Sequence, residues 1–175
     1  MRGIILYQSK YGAAKKYAEW LSAASSFPCM ELKQAGAENV RDVDLVILGG
    51  GVYASRIAGL SFLKKHMDAL KGKKLLVYCT GASPLDEGYV RELSAQNLKG
   101  QLEGIPLFYC RGAWEPEKMS VLIRTMLPLL RRGIARKDPA DYEVWEAALM
   151  SAGDESCDWT DRKYLEPLLE YLNLG

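Results

Sequence analysis

The chain has 175 residues, 49% hydrophobic and 26% charged, which fits one globular domain with a substantial core and excludes a disordered polymer. Lys plus Arg total 23 against 22 Asp plus Glu, and this net charge of +1 excludes a global pull toward nucleic acid or anionic lipid. Four cysteines (Cys29, Cys79, Cys110, Cys157) lie far apart without a C-x-x-C pair, and His66 is the single histidine, so no zinc or iron–sulfur centre is expected.

In chain order, apolar runs suited to buried parallel strands fall at 3–7, 29–33, 44–48, 74–79 and 105–110. Pro28 and the polar residues beyond make 29–33 the least strand-like of these. Helical patterns fill 13–26, 58–70 and 86–98, and a last helix is expected over 160–172. There Asp158 or Thr160 can cap, and Leu165, Leu168, Leu169 and Leu172 recur at helical spacing. Between about 112 and 158 the alternation is interrupted by an insertion. It holds an amphipathic stretch at about 118–132 (Met119, Leu122, Ile123, Met126, Leu127, Leu130), then Arg131, Arg132, Arg136 and Lys137. Asp138-Pro139 ends that helix, and a second is expected over 139–150 through Tyr142, Trp145, Ala148 and Leu149. No apolar run approaches the ~18 residues of a membrane span, and the strand after Met1-Arg2 is too short for a signal-peptide core, so a cytosolic location is expected. Strands alternating with helices imply right-handed crossovers and a doubly wound α/β domain covering 1–175. Its five-stranded parallel sheet is expected in the order 2-1-3-4-5, with a ligand outside the carboxyl ends at the switch point.

Three loops meet at that edge. The first, Gln8 to Ala14, joins a strand to a helix N-terminus, where unpaired amides and the helix dipole suit a phosphate. Ser9 offers a hydroxyl, Gly12 permits close backbone approach, and the small Ala13 and Ala14 leave the amides uncovered. The second, Gly49-Gly50-Gly51-Val52-Tyr53-Ala54-Ser55-Arg56, combines three glycines with a tyrosine able to stack on a planar ring. The third, Thr80-Gly81-Ala82-Ser83-Pro84, supplies small and hydroxyl residues for a ring edge. Phosphate in the first loop and a flat heterocycle between the other two is the arrangement they suggest.

These residues resemble a flavodoxin-domain protein, closest in layout to the menaquinone-dependent protoporphyrinogen oxidase branch. The resemblance is carried by the strand–Ser-x-x-Gly–helix start and by Gly-Gly-Gly-Val-Tyr followed by a helix reading Ser61-Phe62-Leu63-Lys64-Lys65-His66. It also includes Phe108-Tyr109-Cys110-Arg111-Gly112 and a basic inserted helix before Asp158-Trp159-Thr160-Asp161. It implies a flavodoxin-like fold and FMN as cofactor, with Ser9, Lys10, Tyr11, Gly12, Ala13 and Ala14 at the phosphate and Val52, Tyr53, Ala54, Thr80, Gly81 and Ala82 at the ring. It further implies electron transfer, or dehydrogenation of a small substrate, through the flavin, with a quinone or a porphyrinogen as candidate redox partner. Tyr53, Arg56, Trp114 and Glu115 are the candidates to shape a substrate site. The sequence departs from the family's T-x-T-G-x-T phosphate loop, reading Ser9, Tyr11 and Ala14 at the hydroxyl positions. A flavodoxin-like domain that has lost the cofactor and serves as a binding or scaffold module is therefore the alternative.

Other features carry plainer readings. Cys79 and Cys110 end adjacent strands, so their thiols could lie near each other, but buried free cysteine usually acts as a small hydrophobe. His66 is placed far from the pocket, at a surface or helix C-terminal position. The helix at about 118–132 is read as covering the sheet or joining an oligomer, with peripheral membrane contact as the other option.

Overall fold

The structure, a computed structural model, describes residues 1–173. Its elements run β1 (Gly3–Gln8), α1 (Ala13–Ser25), β2 (Cys29–Glu31), α2 (Ala37–Arg41), β3 (Leu45–Tyr53), β4 (Arg56–Ile57), α3 (Leu60–Lys65), α4 (Met67–Leu70), β5 (Lys74–Gly81), α5 (Glu87–Asn97), β6 (Leu107–Arg111), β7 (Ala113–Trp114), α6 (Val121–Ile134), α7 (Val144–Ala152), β8 (Cys157–Asp158) and α8 (Glu166–Tyr171). The main sheet has the order β2-β1-β3-β5-β6, all parallel, which is the expected 2-1-3-4-5 topology. β4 folds back antiparallel on β3, and β7 and β8 form a separate two-stranded sheet.

Alternating side chains of the strands fill two cores. Ile4, Leu6, Val46, Leu48, Val77 and Cys79 face the layer of α2, α3, α4 and α5 through Val40, Leu63, Leu70 and Leu93. Ile5, Leu45, Ile47, Leu76, Tyr78 and Cys110 face α1 and α8 through Tyr17, Ala18, Leu21 and Leu168. Strands buried on both faces explain why the sequence reads as continuous apolar runs rather than as alternation. The same alternation separates Cys79 from Cys110. In the β5–β6 register Cys79 pairs with Tyr109 and Cys110 with Thr80, so the two thiols enter opposite cores. The suggested proximity of those thiols does not hold, and each is a buried free cysteine.

Element boundaries differ from expectation for local reasons. β3 continues to Tyr53 instead of ending at residue 48, because Gly49 and Gly50 keep pairing with both β1 and β5, and Gly51 with β5. The expected helix over 58–70 divides into α3 and α4 at His66, whose ring lies 4.4 Å from that of Phe62. The last helix opens with a 3₁₀ turn over Arg162–Leu165, capped by Asp161, before α8 begins at Glu166. Pro139 starts only a short 3₁₀ turn, and α7 begins five residues later at Val144, after Glu143.

Candidate cofactor site

β1 ends at Gln8, and the chain must turn sharply to enter α1. Gly12 makes that turn at φ +100°, a left-handed conformation in which a Cβ is strained. Ser9 Oγ accepts the Gly12 N–H at 3.1 Å, leaving the hydroxyl hydrogen free to donate elsewhere. Lys16 donates to the Gly12 carbonyl at 3.0 Å, so the amides of Ala13 and Ala14 lie within the helix's unpaired first turn. Tyr78, fully buried, donates its hydroxyl to the Ala14 carbonyl at 2.7 Å and fixes α1 above the sheet. Burial pushes that phenol's pKa far up, which keeps it a donor.

The second loop is a tight hairpin between β3 and β4. Tyr53 pairs with Arg56, and the two turn residues, Ala54 and Ser55, have φ of +47° and +60°. Left-handed conformations at two non-glycine residues need external support. Asn97, at the end of α5, supplies it: Nδ2 donates to the Ser55 carbonyl at 2.8 Å, and Oδ1 accepts the Ile57 N–H at 2.9 Å. Tyr53 folds back over Gly51, where a Cβ would overlap its ring and hydroxyl. Its ring meets that of Tyr11 edge-on at 5.8 Å, and Lys10 Nζ lies 5.2 Å from the Tyr11 centroid and 6.0 Å from that of Tyr53.

The third loop leaves β5 at Gly81. Gly112 donates its amide to the Gly81 carbonyl at 2.7 Å, Arg111 Nε donates to the Ala82 carbonyl at 3.3 Å, and Tyr109 donates its hydroxyl to the Ser83 carbonyl at 2.7 Å. The loop is thereby held by three consecutive polar contacts from the neighbouring strand and its end.

A cavity of about 1010 Å³ joins these loops. Ser9, Lys10, Tyr11, Ala13, Ala14, Val52, Tyr53, Ala54, Thr80, Gly81 and Ala82 all line it, whereas Gly12 does not and acts on its shape through the turn. Of the candidates for a substrate site, Tyr53 and Trp114 line the cavity. Arg56 and Glu115 do not; Arg56 is exposed on the hairpin, and Glu115 pairs with Lys118 at 2.8 Å. Gly51, Ser55 and Ser83 of the second and third loops line the cavity too, and the sequence carried no signal for Tyr89 or Gly112 as lining, nor above all for the roof made by the insertion. Met119, Ile123, Met126, Leu127 and Leu130 close the cavity from one side, and Trp145, Ala148 and Leu149 from α7. Their periodicity was visible, but its destination was not: α6 spans the cavity, not the sheet, and only Ile134 of its side chains is buried.

Polar latches hold this roof. Lys137 Nζ lies 2.6 Å from the buried carboxylate of Glu146, which also accepts the Glu143 N–H at 3.0 Å. The hydrogen bond from Lys137, with that of the Glu143 amide, keeps the Glu146 pKa below its ordinary value. Arg131 pairs with Asp154 at 2.8 Å and donates to the Gly153 carbonyl, which also receives Trp114 Nε1 at 3.3 Å. The end of β8 and the segment after it are tied to α1. Lys16 Nζ reaches Asp158 at 2.9 Å and Thr160 Oγ1 at 2.7 Å. Tyr17 accepts the Asp161 N–H at 3.0 Å and donates to the Arg111 carbonyl at 2.6 Å, while the Arg111 guanidinium lies 4.3 Å from the Trp159 ring centroid. The Asp-Trp-Thr-Asp run is thus a clamp on α1 and β6.

Three solved structures are similar to this chain. Rubredoxin oxygen:oxidoreductase from Desulfovibrio gigas is 15% identical at a TM-score of 0.46 over 63% of this chain, which spans 30% of that protein. Megasphaera elsdenii flavodoxin in its two-electron reduced form is 17% identical, with a TM-score of 0.46 over 61% of this chain and 82% of its own. A flavoprotein in complex with FMN from Lactobacillus acidophilus is 16% identical, with a TM-score of 0.42 over 63% of this chain and 91% of its own. No curated protein matches the sequence. The family model for a flavodoxin domain matches residues 4–141, most of the chain and all three loops, and the chain belongs to that family.

Proposed function

We propose that this protein binds FMN and works as a flavin-dependent redox protein. The observation that carries the proposal is the single cavity that begins at the open amides of α1 and continues between Tyr53 and the Thr80–Ala82 loop. The donor set fits the cofactor: Ser9 and the amides of Tyr11, Ala13 and Ala14 would hold the phosphate, with the Lys10 side chain supplying a positive charge. Val52, Tyr53, Ala54, Thr80, Gly81 and Ala82 would hold the ring. Bound FMN supplies the electron chemistry, and the protein supplies position and electrostatics. The aromatic and aliphatic roof of Trp114, Trp145, Leu127 and Leu149 excludes water from the part of the cavity where a redox partner would lie. A quinone or a porphyrinogen as that partner rests on the sequence resemblance to the oxidase branch alone, which the family match does not reach.

A second reading is favoured by one observation. Tyr11 and Ala14 stand where hydroxyl residues are usual, and the Tyr53 phenol already caps the Lys10 amide. In that reading the domain carries no flavin and serves as a binding module. The visible spectrum of the purified protein, followed by titration of the stripped form with FMN and riboflavin, separates the two. Flavin absorbance with FMN bound far more tightly than riboflavin is the expected result. A colourless protein that binds neither would overturn the flavin proposal and leave the binding module.

A further inference from the structure

α6 carries more apolar surface than the protein covers. Ile123, Leu127 and Ile134 turn inward, whereas Leu122, Met126 and Leu129, spaced by four and three residues, remain 70%, 57% and 65% exposed. Val121 at the start of the helix is 75% exposed. The flank is bordered by positive charge: no acidic residue occurs between Ser120 and Lys137, and that stretch contains Arg124, Arg131, Arg132 and Arg136. Arg131 is held by Asp154, but among the described residues Arg124, Arg132 and Arg136 have no carboxylate partner. Arg132 follows Leu129 by three residues and so lies along the same exposed flank.

We propose that α6 docks this protein on an anionic lipid surface. Leu122, Met126 and Leu129 enter the boundary between headgroups and acyl chains, and Arg132 and Arg136, on the border of that flank, meet lipid phosphates. The pattern is that of a helix lying in the interface plane, with apolar side chains on one face and arginines at its border. No helix among the described residues is long and apolar enough to cross a membrane, so the contact is peripheral. A charged surface explains the arginines, which an apolar contact between two copies of this chain would set against each other. Met126, Leu129 and Leu130 both line the cavity and lie on the exposed side of α6, so the docking face borders the cavity mouth. A bilayer-dissolved redox partner would then reach the cavity without passing through water. That last link rests on the flavin reading; the docking itself does not.

The test is co-sedimentation of the full chain with vesicles of equimolar phosphatidylcholine and phosphatidylglycerol, compared with pure phosphatidylcholine. Binding to the mixed vesicles, weakened by salt and at least tenfold weaker on pure phosphatidylcholine, is expected. Leu122→Glu/Leu129→Glu replaces two largely exposed side chains, Leu129 at the cavity rim, and should abolish lipid binding with the circular dichroism spectrum and melting temperature unchanged. Arg132→Gln and Arg136→Gln should each weaken binding by roughly fivefold. Absence of binding to the mixed vesicles overturns the proposal, as does equal binding to both compositions. A wild-type dimer that ignores vesicles and is dissociated by Leu122→Glu/Leu129→Glu overturns it too, assigning the face to self-association. Because the readout is lipid binding, a colourless protein that still sediments with anionic vesicles would separate failure of the flavin reading from failure of this one.

Discussion

Tyr53 bridges two of the loops that frame the cavity: its phenol oxygen accepts the backbone N–H of Lys10 at 3.2 Å, although 43 positions separate the two residues. Burial raises the phenol's pKa more than the Lys10 amide lowers it, so the group stays protonated. If FMN phosphate binds in loop one, phenol and phosphate compete for this amide. Tyr53→Phe keeps the ring and removes the competitor. FMN affinity should rise about fivefold, the equivalent of one neutral hydrogen bond of about 1 kcal/mol, with riboflavin affinity unchanged. Quenching of flavin fluorescence measures both, and a loss of FMN affinity would instead assign the phenol to the cofactor.

Gly12 allows the contribution of charge to be separated from that of backbone strain. Gly12→Ala and Gly12→Asp both force a side chain into a left-handed position, costing on the order of 1–2 kcal/mol of stability. Only Gly12→Asp adds a negative charge beside loop one. Its FMN affinity should fall roughly a hundredfold below that of Gly12→Ala, for a like-charge contact of about 3 kcal/mol. Thermal melts record the shared strain, and equal FMN affinities in the two variants would remove the phosphate from loop one.

Asn97 lies outside the cavity yet fastens the hairpin that forms one wall. Asn97→Ala leaves the Ser55 carbonyl and the Ile57 amide without their side-chain partner, a loss of about 2 kcal/mol in urea unfolding. The consequence for ligands differs from that at Gly12. FMN and riboflavin should weaken by the same factor, because the hairpin faces the ring and not the phosphate. Selective loss of FMN would contradict the placement of the ring.

The clamp at Asp158 gives the stability a defined acid dependence. Burial pushes this carboxyl's pKa up, but hydrogen bonds from Thr160 and Lys16 outweigh it and bring the value from 3.8 to about 2. A carboxylate whose folded pKa is depressed stabilises the fold above its unfolded value and loses that contribution as pH falls through the folded one. The difference in unfolding free energy between wild type and Asp158→Asn should therefore be constant above pH 3.8 and shrink toward pH 2. A gap independent of pH over this window would show that Asp158 acts only through shape.

The thiols should divide into two classes. Cys79 and Cys110 are buried, and burial raises both pKa values far above the ordinary thiol range; Cys29 and Cys157 are partly exposed. Maleimide should label only Cys29 and Cys157 in the native protein and all four cysteines in urea. Oxidation should produce no Cys79–Cys110 disulfide, since the sheet lies between them, and mass spectrometry of peptides would detect one if it formed.

The sheet was legible because its strands are buried on both faces, so runs such as Leu45–Leu48 and Leu75–Cys79 leave little alternative to a parallel core. The two short strands β7 and β8 were not, since two residues have no period and their pairing joins positions more than forty apart. Glycines concealed the length of β3: they lower strand propensity locally, and only the flanking strands β1 and β5 draw them into the sheet. At the site, loop residues could be placed from the strand ends alone. The roof could not, because an amphipathic stripe such as Ile123, Leu127 and Leu130 states that a face is apolar without stating what it meets.

Each glycine of the Gly49–Gly51 run makes room for a different neighbour. A Cβ at Gly49 would strike the ring of Tyr78, one at Gly51 the ring of Tyr53, and one at Gly50 the carbonyl of Ala58. The first two obstacles are side chains, and the third is backbone. Across descendants of this sequence, position 49 can therefore enlarge only alongside a smaller residue at 78, and position 51 only if residue 53 shrinks or swings out. No side-chain exchange elsewhere relieves position 50. Paired drift at 49/78 and 51/53, with position 50 unchanging, is the evolutionary signature that this packing imposes.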